Sequence, residues 1–217
     1  MADRSLVVHE IYKSIQGESS FAGQPCTFIR LTGCNLRCAW CDTPHAFHEG
    51  TRMSMAAIVE ASLSHCTDMV EVTGGEPLLQ THTTHLLAQL CDEGKQVLLE
   101  TSGERDISGV DSRVHRIVDF KAPLSGESHR NRWSNVECLT LRDEVKFVIQ
   151  DRADYDWAKD VLQVHDLNDR VNAIWLSPVH GVMRPELLVA WMLEDRLKVR
   201  VQLQIHKYIW GQDARGV

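Results

Sequence analysis

A chain of 217 residues fits one large domain, residues 1–217, better than two cramped ones. Its 43% apolar and 24% charged residues are the proportions of an ordinary globular protein, which excludes disorder and fibrous folds. The net charge of -7 argues against a nucleic-acid binder held by electrostatics. The longest apolar runs, such as Ala56-Ala57-Ile58-Val59, fall far short of the roughly 18 residues of a membrane span. The start Met1-Ala2-Asp3-Arg4-Ser5-Leu6 lacks the basic opening and apolar stretch of a signal peptide. A cytoplasmic protein with no membrane contact is therefore expected.

In chain order, β-type runs fall at residues 7–11, 27–31, 69–73, 97–100, 116–120, 144–149, 173–177 and 199–204. Segments of helical period separate several of them. The clearest places Met55, Ile58, Val59, Leu63 and Cys66 on one stripe behind a Ser54 cap, interrupted only by Ser62. Helices are also expected over 77–93, with Gly94 as the cap, 153–164 and 185–196. Strands separated by helices imply βα units and a parallel sheet. About six such strands are too few for a closed eight-stranded barrel of about 250 residues, so the expected architecture is an open, partial (βα) barrel. The distinctive residues fall just past strand ends: Gly74-Gly75-Glu76-Pro77, Thr101-Ser102-Gly103, Lys121, Ser177-Pro178-Val179-His180-Gly181 and His206-Lys207. That is where such folds build their sites.

Seven cysteines in a reducing compartment serve metals, catalysis or packing rather than disulfides. Cys26, Cys66, Cys91 and Cys138 are scattered, whereas Cys34, Cys38 and Cys41 fall within eight residues and form a ligand cluster. Two sites remain open on this spacing. Structural zinc would need a fourth ligand from His45, His48 or Cys26. A 4Fe-4S cluster held by three cysteines would leave one iron free for a small molecule.

The spacing Cys-x3-Cys-x2-Cys resembles the signature of the radical S-adenosylmethionine superfamily, and Gly-Gly-Glu-Pro after a strand is a second feature of it. Ser14-Ile-Gln-Gly-Glu18, Phe28-Ile-Arg-Leu-Thr-Gly-Cys34 and Cys38-Ala-Trp-Cys-Asp-Thr43 narrow the resemblance to the 7-carboxy-7-deazaguanine synthase family. Thr73-Gly-Gly-Glu-Pro77, Glu100-Thr-Ser-Gly103 and Gln204-Ile-His-Lys-Tyr208 extend it over the whole chain. The resemblance implies ring contraction of 6-carboxy-5,6,7,8-tetrahydropterin with loss of ammonia, in queuosine and deazapurine biosynthesis. S-adenosylmethionine would be a reusable radical source, and no acid-base residue is required. It also implies an electron donor such as flavodoxin or ferredoxin, and a homodimer.

By the same resemblance Ile15, Gln16, Gly17, Glu18, Arg30, Thr73, His206 and the terminal Val217 are substrate-binding candidates. A pterin edge offers donors that suit backbone carbonyls and the Glu18 carboxylate. A lone Arg30 in an apolar strand needs an anion, either the substrate carboxylate or a structural Asp or Glu. Thr43 is the implied Mg2+ ligand, with substrate carboxylate and water completing the ion. For S-adenosylmethionine the candidates are Trp40, Cys41, Asp42, Gly75, Ser102, Asp119, Phe120, Lys121, Ser177, Pro178, Val179 and His180. Residues 124–141 form an insertion without family signal, and 210–217 prolong the chain past Tyr208. A glycyl-radical activase and a non-catalytic iron-sulfur or zinc module are the competing readings; Gln16-Gly17-Glu18 and Thr43 speak against the first.

Overall fold

The computed structural model describes residues 4–217, so residues 1–3, part of the start read as lacking a leader, lie outside the described residues. Strands β1 (Ser5–Ile15) and β2 (Pro25–Leu31) pair antiparallel, and β3 (Thr51–Ser54) adds antiparallel to the other edge of β1. From β2 the chain passes through α1 (Met55–Leu63) to β4 (Met69–Gly74), then α2 (Thr83–Asp92) and β5 (Gln96–Thr101). Strands β6 (His115–Asp119) and β7 (Glu144–Ile149) follow, then α3 (Arg152–Val164), β8 (Ala173–Pro178), α4 (Pro185–Glu194), β9 (Arg200–Val201) and α5 (Ile205–Trp210). All neighbours from β2 to β9 run parallel in the order β3-β1-β2-β4-β5-β6-β7-β8-β9. The sheet ends at β3 and β9 and does not close, giving the expected open α/β arrangement. Six full parallel strands and the two-residue β9 carry it. No helix among the described residues is long and apolar enough to cross a membrane.

Elements such as β4 and α1 follow from their local chemistry. All six residues of β4 are buried, the pattern of a parallel strand covered on both faces. In α1 the Ser54 side chain accepts from Ala57 N, and Met55, Ile58, Val59 and Ser62 are buried at helical spacing. The inward Ser62 satisfies its hydroxyl by donating to Val59 O at 2.8 Å. Cys66, expected on that stripe, lies beyond the helix at φ 55 and is exposed.

Two expectations change. The single helix over 77–93 is a short 3-10 turn, Pro77–Leu79, followed by α2. Between them the Gln80 side chain leaves the helical path to donate to Val7 O and Thr32 O. Gly94 at φ +76 does end α2. The strand over 199–204 keeps only two residues, because Gln202 and Gln204 turn their amides inward to Glu18. The short polar β3 and the terminal α5 were not expected. The insertion folds as three 3-10 turns, Pro123–Ser125, Ser128–Arg130 and Trp133–Cys138, anchored where Trp133 stacks on Phe120 and His165 at 5.1 and 4.7 Å between ring centres.

Candidate active site

Beyond the C-terminal ends of the parallel strands lies a cavity of about 550 Å3, and every site residue expected from sequence lines it except Phe120. Phe120 is fully buried and stacks on Trp133 and Phe147, so its side chain is core. Period-two alternation along the end of β6 explains this: Asp119 and Lys121 face the cavity while Phe120 points the other way. Val217 reaches the cavity despite the prolonged tail.

The loop after β1 forms one wall. Gln16 N donates to Gln24 O at 2.8 Å and Gly23 N to Gln16 O at 2.7 Å, closing the loop on itself. Gly17 packs directly under the His206 ring: a Cβ there would lie 2.9 Å from its Cγ, so any larger residue would force the ring to move. Glu18 is no solvated loop residue. Its carboxylate accepts from Lys146 Nζ and Gln202 Nε2, each at 2.8 Å, and from Gln204 Nε2 at 2.7 Å. Burial alone would raise the pKa of its carboxyl, but the Lys146 ammonium and these donors hold it below the usual range.

The cysteine loop forms the opposite wall. Burial pushes the Cys34 thiol up and that of Cys38 to about 11, so both are protonated when free and must lose protons on binding a metal. A tri-thiolate zinc site needs sulfurs about 3.8 Å apart, given Zn–S bonds of about 2.3 Å. The three cysteines do not meet within 4.8 Å; among the described residues only His9, Glu10 and His45 do. The spread thiols suit a larger polynuclear cluster. Cys26, a possible fourth zinc ligand, is buried in a separate apolar cluster with Phe28, Met69 and Leu98.

The turn after β4 braces this loop. Glu76 N donates to Gly33 O at 2.8 Å, and a Cβ on Gly75 would collide with that same carbonyl and lie 2.7 Å from Cys34 Cβ. The fully buried Glu76 carboxylate accepts from Thr101 Oγ1, Ser102 N, Ser102 Oγ and Leu78 N, all at 2.6 to 3.0 Å. Ser102 therefore presents its remaining lone pairs to the cavity. Beside it Asp119 Oδ2 takes Lys121 Nζ at 2.8 Å, while its Oδ1 is buried without a partner. An unpartnered acceptor in a cavity suits a ribose hydroxyl.

Arg30 has a structural partner as well as a place on the cavity wall. Its Nε donates to Glu10 at 2.8 Å, and its other nitrogens to Tyr12 Oη at 3.0 Å and Gly74 O at 3.2 Å. Thr43 Oγ1 lies 4.0 Å from Cys41 Sγ, and the Thr43 carbonyl accepts from Ala46 N at 3.0 Å. Asp42 pairs with Lys207 at 2.8 Å, which holds its carboxyl well below the usual range against the cost of burial. Burial lowers the ionisation of His206, whereas His180 is exposed at the rim.

Sequence reasoning missed the floor. Glu71 on β4, Glu100 on β5 and Lys146 on β7 all line the cavity. Lys146 contacts Glu18, Glu100 and, at 3.7 Å, Asp119, and these carboxylates keep it charged well above its usual value despite burial. Burial, with repulsion from Glu100, pushes Glu71 up to about 8. Each of the three sits between apolar neighbours in its strand, Val70 and Val72, Leu99 and Thr101, and Val145 and Phe147, with only Thr101 polar among them, close to the signal that singled out Arg30. Gln204 and Lys207 belong to the site too.

Comparison with known proteins agrees with this geometry. The sequence pattern of the Radical SAM superfamily matches residues 28–172. The 7-carboxy-7-deazaguanine synthase of Chlorobaculum tepidum is 50% identical, covering 98% of this chain and 97% of that protein. That of Koribacter versatilis is 45% identical, covering 97% and 99%. Among solved structures, QueE from Escherichia coli superposes with a TM-score of 0.74 at 22% identity, over 91% of this chain and 94% of that one.

Proposed function

The chain belongs to the 7-carboxy-7-deazaguanine synthase family of the radical S-adenosylmethionine superfamily, and we propose that it converts 6-carboxy-5,6,7,8-tetrahydropterin to 7-carboxy-7-deazaguanine with loss of ammonia. The observation that carries this reading is one cavity shared by three spread thiols, the Gly-Gly-Glu-Pro turn and the Gln16-Gly17-Glu18 loop.

Cys34, Cys38 and Cys41 would hold the 4Fe-4S cluster, and Gly75, Ser102 and Asp119 would receive S-adenosylmethionine beside it. When bound, the two supply a carbon radical able to take and return a hydrogen atom. The chain's own work is to bind, orient and exclude water. Carbonyls of the 15–17 loop and the anionic Glu18 would accept from the pterin's donor edge. Arg30, with guanidinium hydrogens beyond those given to Glu10, would meet the substrate carboxylate, and Thr43 would complete a Mg2+ ion on it. The Lys146 ammonium keeps Glu18 anionic and aimed. His206, kept neutral by burial, closes over Gly17 as a flat wall. A homodimer in the cytoplasm, reduced by a flavodoxin or ferredoxin, completes the proposal.

The test is anaerobic reconstitution with iron and sulfide, then incubation with S-adenosylmethionine, reductant and the carboxytetrahydropterin. A brown protein that forms the deazaguanine is expected. A brown protein that cleaves S-adenosylmethionine but leaves the pterin intact would reject the substrate, and a colourless zinc protein would reject the enzyme.

A further inference from the structure

Outside the cavity, one group of side chains has the makings of a second metal centre. His9, Glu10 and His45 each offer a donor atom, and the three atoms lie within 4.8 Å of one another. Neighbours in a strand ordinarily point to opposite faces, so His9 and Glu10 converge only because the backbone departs from regular pleating. It does so here. The β1-β2 register steps from Val8 opposite Leu31 to Glu10 opposite Arg30, which makes His9 the extra residue of a bulge. Bulges re-aim side chains in this way next to functional sites. His45 arrives from the short turn Pro44–Phe47 that follows the cysteine loop.

Two further observations point to a ligand. His9 Nδ1 is buried with no hydrogen-bond partner, so the ring carries a polar atom that nothing in the protein engages. The His9 and His45 ring centres are 5.2 Å apart with planes at 51°. Two imidazoles on a tetrahedral ion, with metal–nitrogen bonds of about 2.0–2.1 Å, place their ring centres about 5.2 Å apart. The Glu10 carboxylate gives only one oxygen, Oε1, to Arg30, at 2.8 Å, which leaves Oε2 for a metal.

We propose that His9, Glu10 and His45 form a site for a borderline divalent cation, Zn2+ above all, that pins β1 to the segment after the cysteine loop. The donor set is the two-histidine, one-carboxylate type, to which water adds a fourth ligand. The Arg30 guanidinium beside Glu10 disfavours hard cations bound by charge alone, such as Mg2+ or Ca2+. Imidazole bonding selects zinc instead. The site is distinct from the cluster cysteines and from Thr43, and it stands whether or not the substrate assignment does.

The test uses cluster-loaded protein, whose thiols are already occupied. It is titrated anaerobically with Zn2+, freed of loose metal by gel filtration, and analysed for zinc and iron. Wild type should retain one zinc per chain with its iron unchanged, and X-ray absorption should show nitrogen and oxygen neighbours only. The His9→Gln and His45→Gln variants should load iron normally, retain no such zinc and lose the rise in unfolding temperature that zinc gives the wild type. Zinc retention equal in wild type and both variants, sulfur neighbours on the zinc, or no retained zinc at all would each overturn the proposal.

Discussion

Replacing Glu71 with glutamine isolates what a carboxyl group costs when a strand carries it into the cavity floor. Glu71 is 2% exposed and receives a hydrogen bond from the Gln16 amide. Burial first, and repulsion from Glu100 next, move its ionisation from 4.5 to about 8. A carboxyl raised on folding carries no penalty below pH 4.5, a growing one as the unfolded chain ionises and the folded one does not, and the full penalty above about 8. At about 1.4 kcal/mol per pH unit, the interval carries roughly 5 kcal/mol. Glutamine is neutral throughout and still offers Gln16 an acceptor. The Glu71→Gln variant should therefore match wild type near pH 5 and gain on it steadily, being more stable by roughly 3–5 kcal/mol at pH 8. Urea unfolding of the cluster-free protein, followed by circular dichroism in half-unit steps from pH 5 to 8, measures the difference. Glu100, also raised by burial, is present in both proteins, so its own slope cancels to first order. Stability curves that stay parallel within about 0.5 kcal/mol would mean that Glu71 ionises normally in the folded chain, and the account of the floor would be wrong.

Three other outcomes follow from the same geometry. Gly75→Ala drives a methyl into the Gly33 carbonyl and Cys34, so it should cost about 1–3 kcal/mol in urea unfolding and lower the iron and sulfide bound per chain. Lys146→Met leaves Glu18 and Glu100 without their counter-cation. It should destabilise by about 3–5 kcal/mol at pH 7, and by less at pH 5 as the orphaned carboxylates take up protons. Thr43→Val should weaken the magnesium stimulation of turnover while Thr43→Ser keeps much of it. Equal stimulation of wild type and the Val variant, both fully loaded with cluster, would remove Thr43 as a ligand.

The strands were legible because their chemistry is local. Buried parallel strands read as largely apolar runs, and β4, β7 and β8 read that way, with β4 interrupted at Glu71 and β7 at Glu144 and Lys146. The cavity wall was legible for a different reason: Gly75, Ser102, Asp119 and Ser177 lie at or just past the C-terminal ends of strands, and parallel topology alone brings those ends together. What escaped was set by long-range side-chain bonds. Gln80 breaks a helix through contacts with Val7 and Thr32, and Gln202 and Gln204 end a strand to reach Glu18. No local pattern announces such partners. Glu71, Glu100 and Lys146 could have been found, since a charge inside an apolar strand needs a partner wherever it occurs. The Phe120 side chain stands apart from the other expected site residues because alternation lets only the outer two residues of the 119–121 stretch face the cavity.

Transfer of a single hydrogen atom depends on placing one C–H bond beside one carbon, so the two walls of the cavity must hold a fixed spacing. In the proposed reading the substrate wall is the loop bearing Glu18, and the cofactor wall is the loop bearing Cys41 and Asp42. Both are tied to one amide. Gln204 Nε2 donates to Glu18 Oε1 at 2.7 Å and to Asp42 Oδ2 at 3.1 Å. An amide nitrogen has two hydrogens, and here each serves a different wall. Around this bridge Lys146 reinforces Glu18 and Lys207 reinforces Asp42, each at 2.8 Å. The two carboxylates thus stay ionised side by side, because each has its own ammonium and they share the neutral donor between them. Gln204 immediately precedes α5, so the segment after the last strand acts as the spacer between the walls.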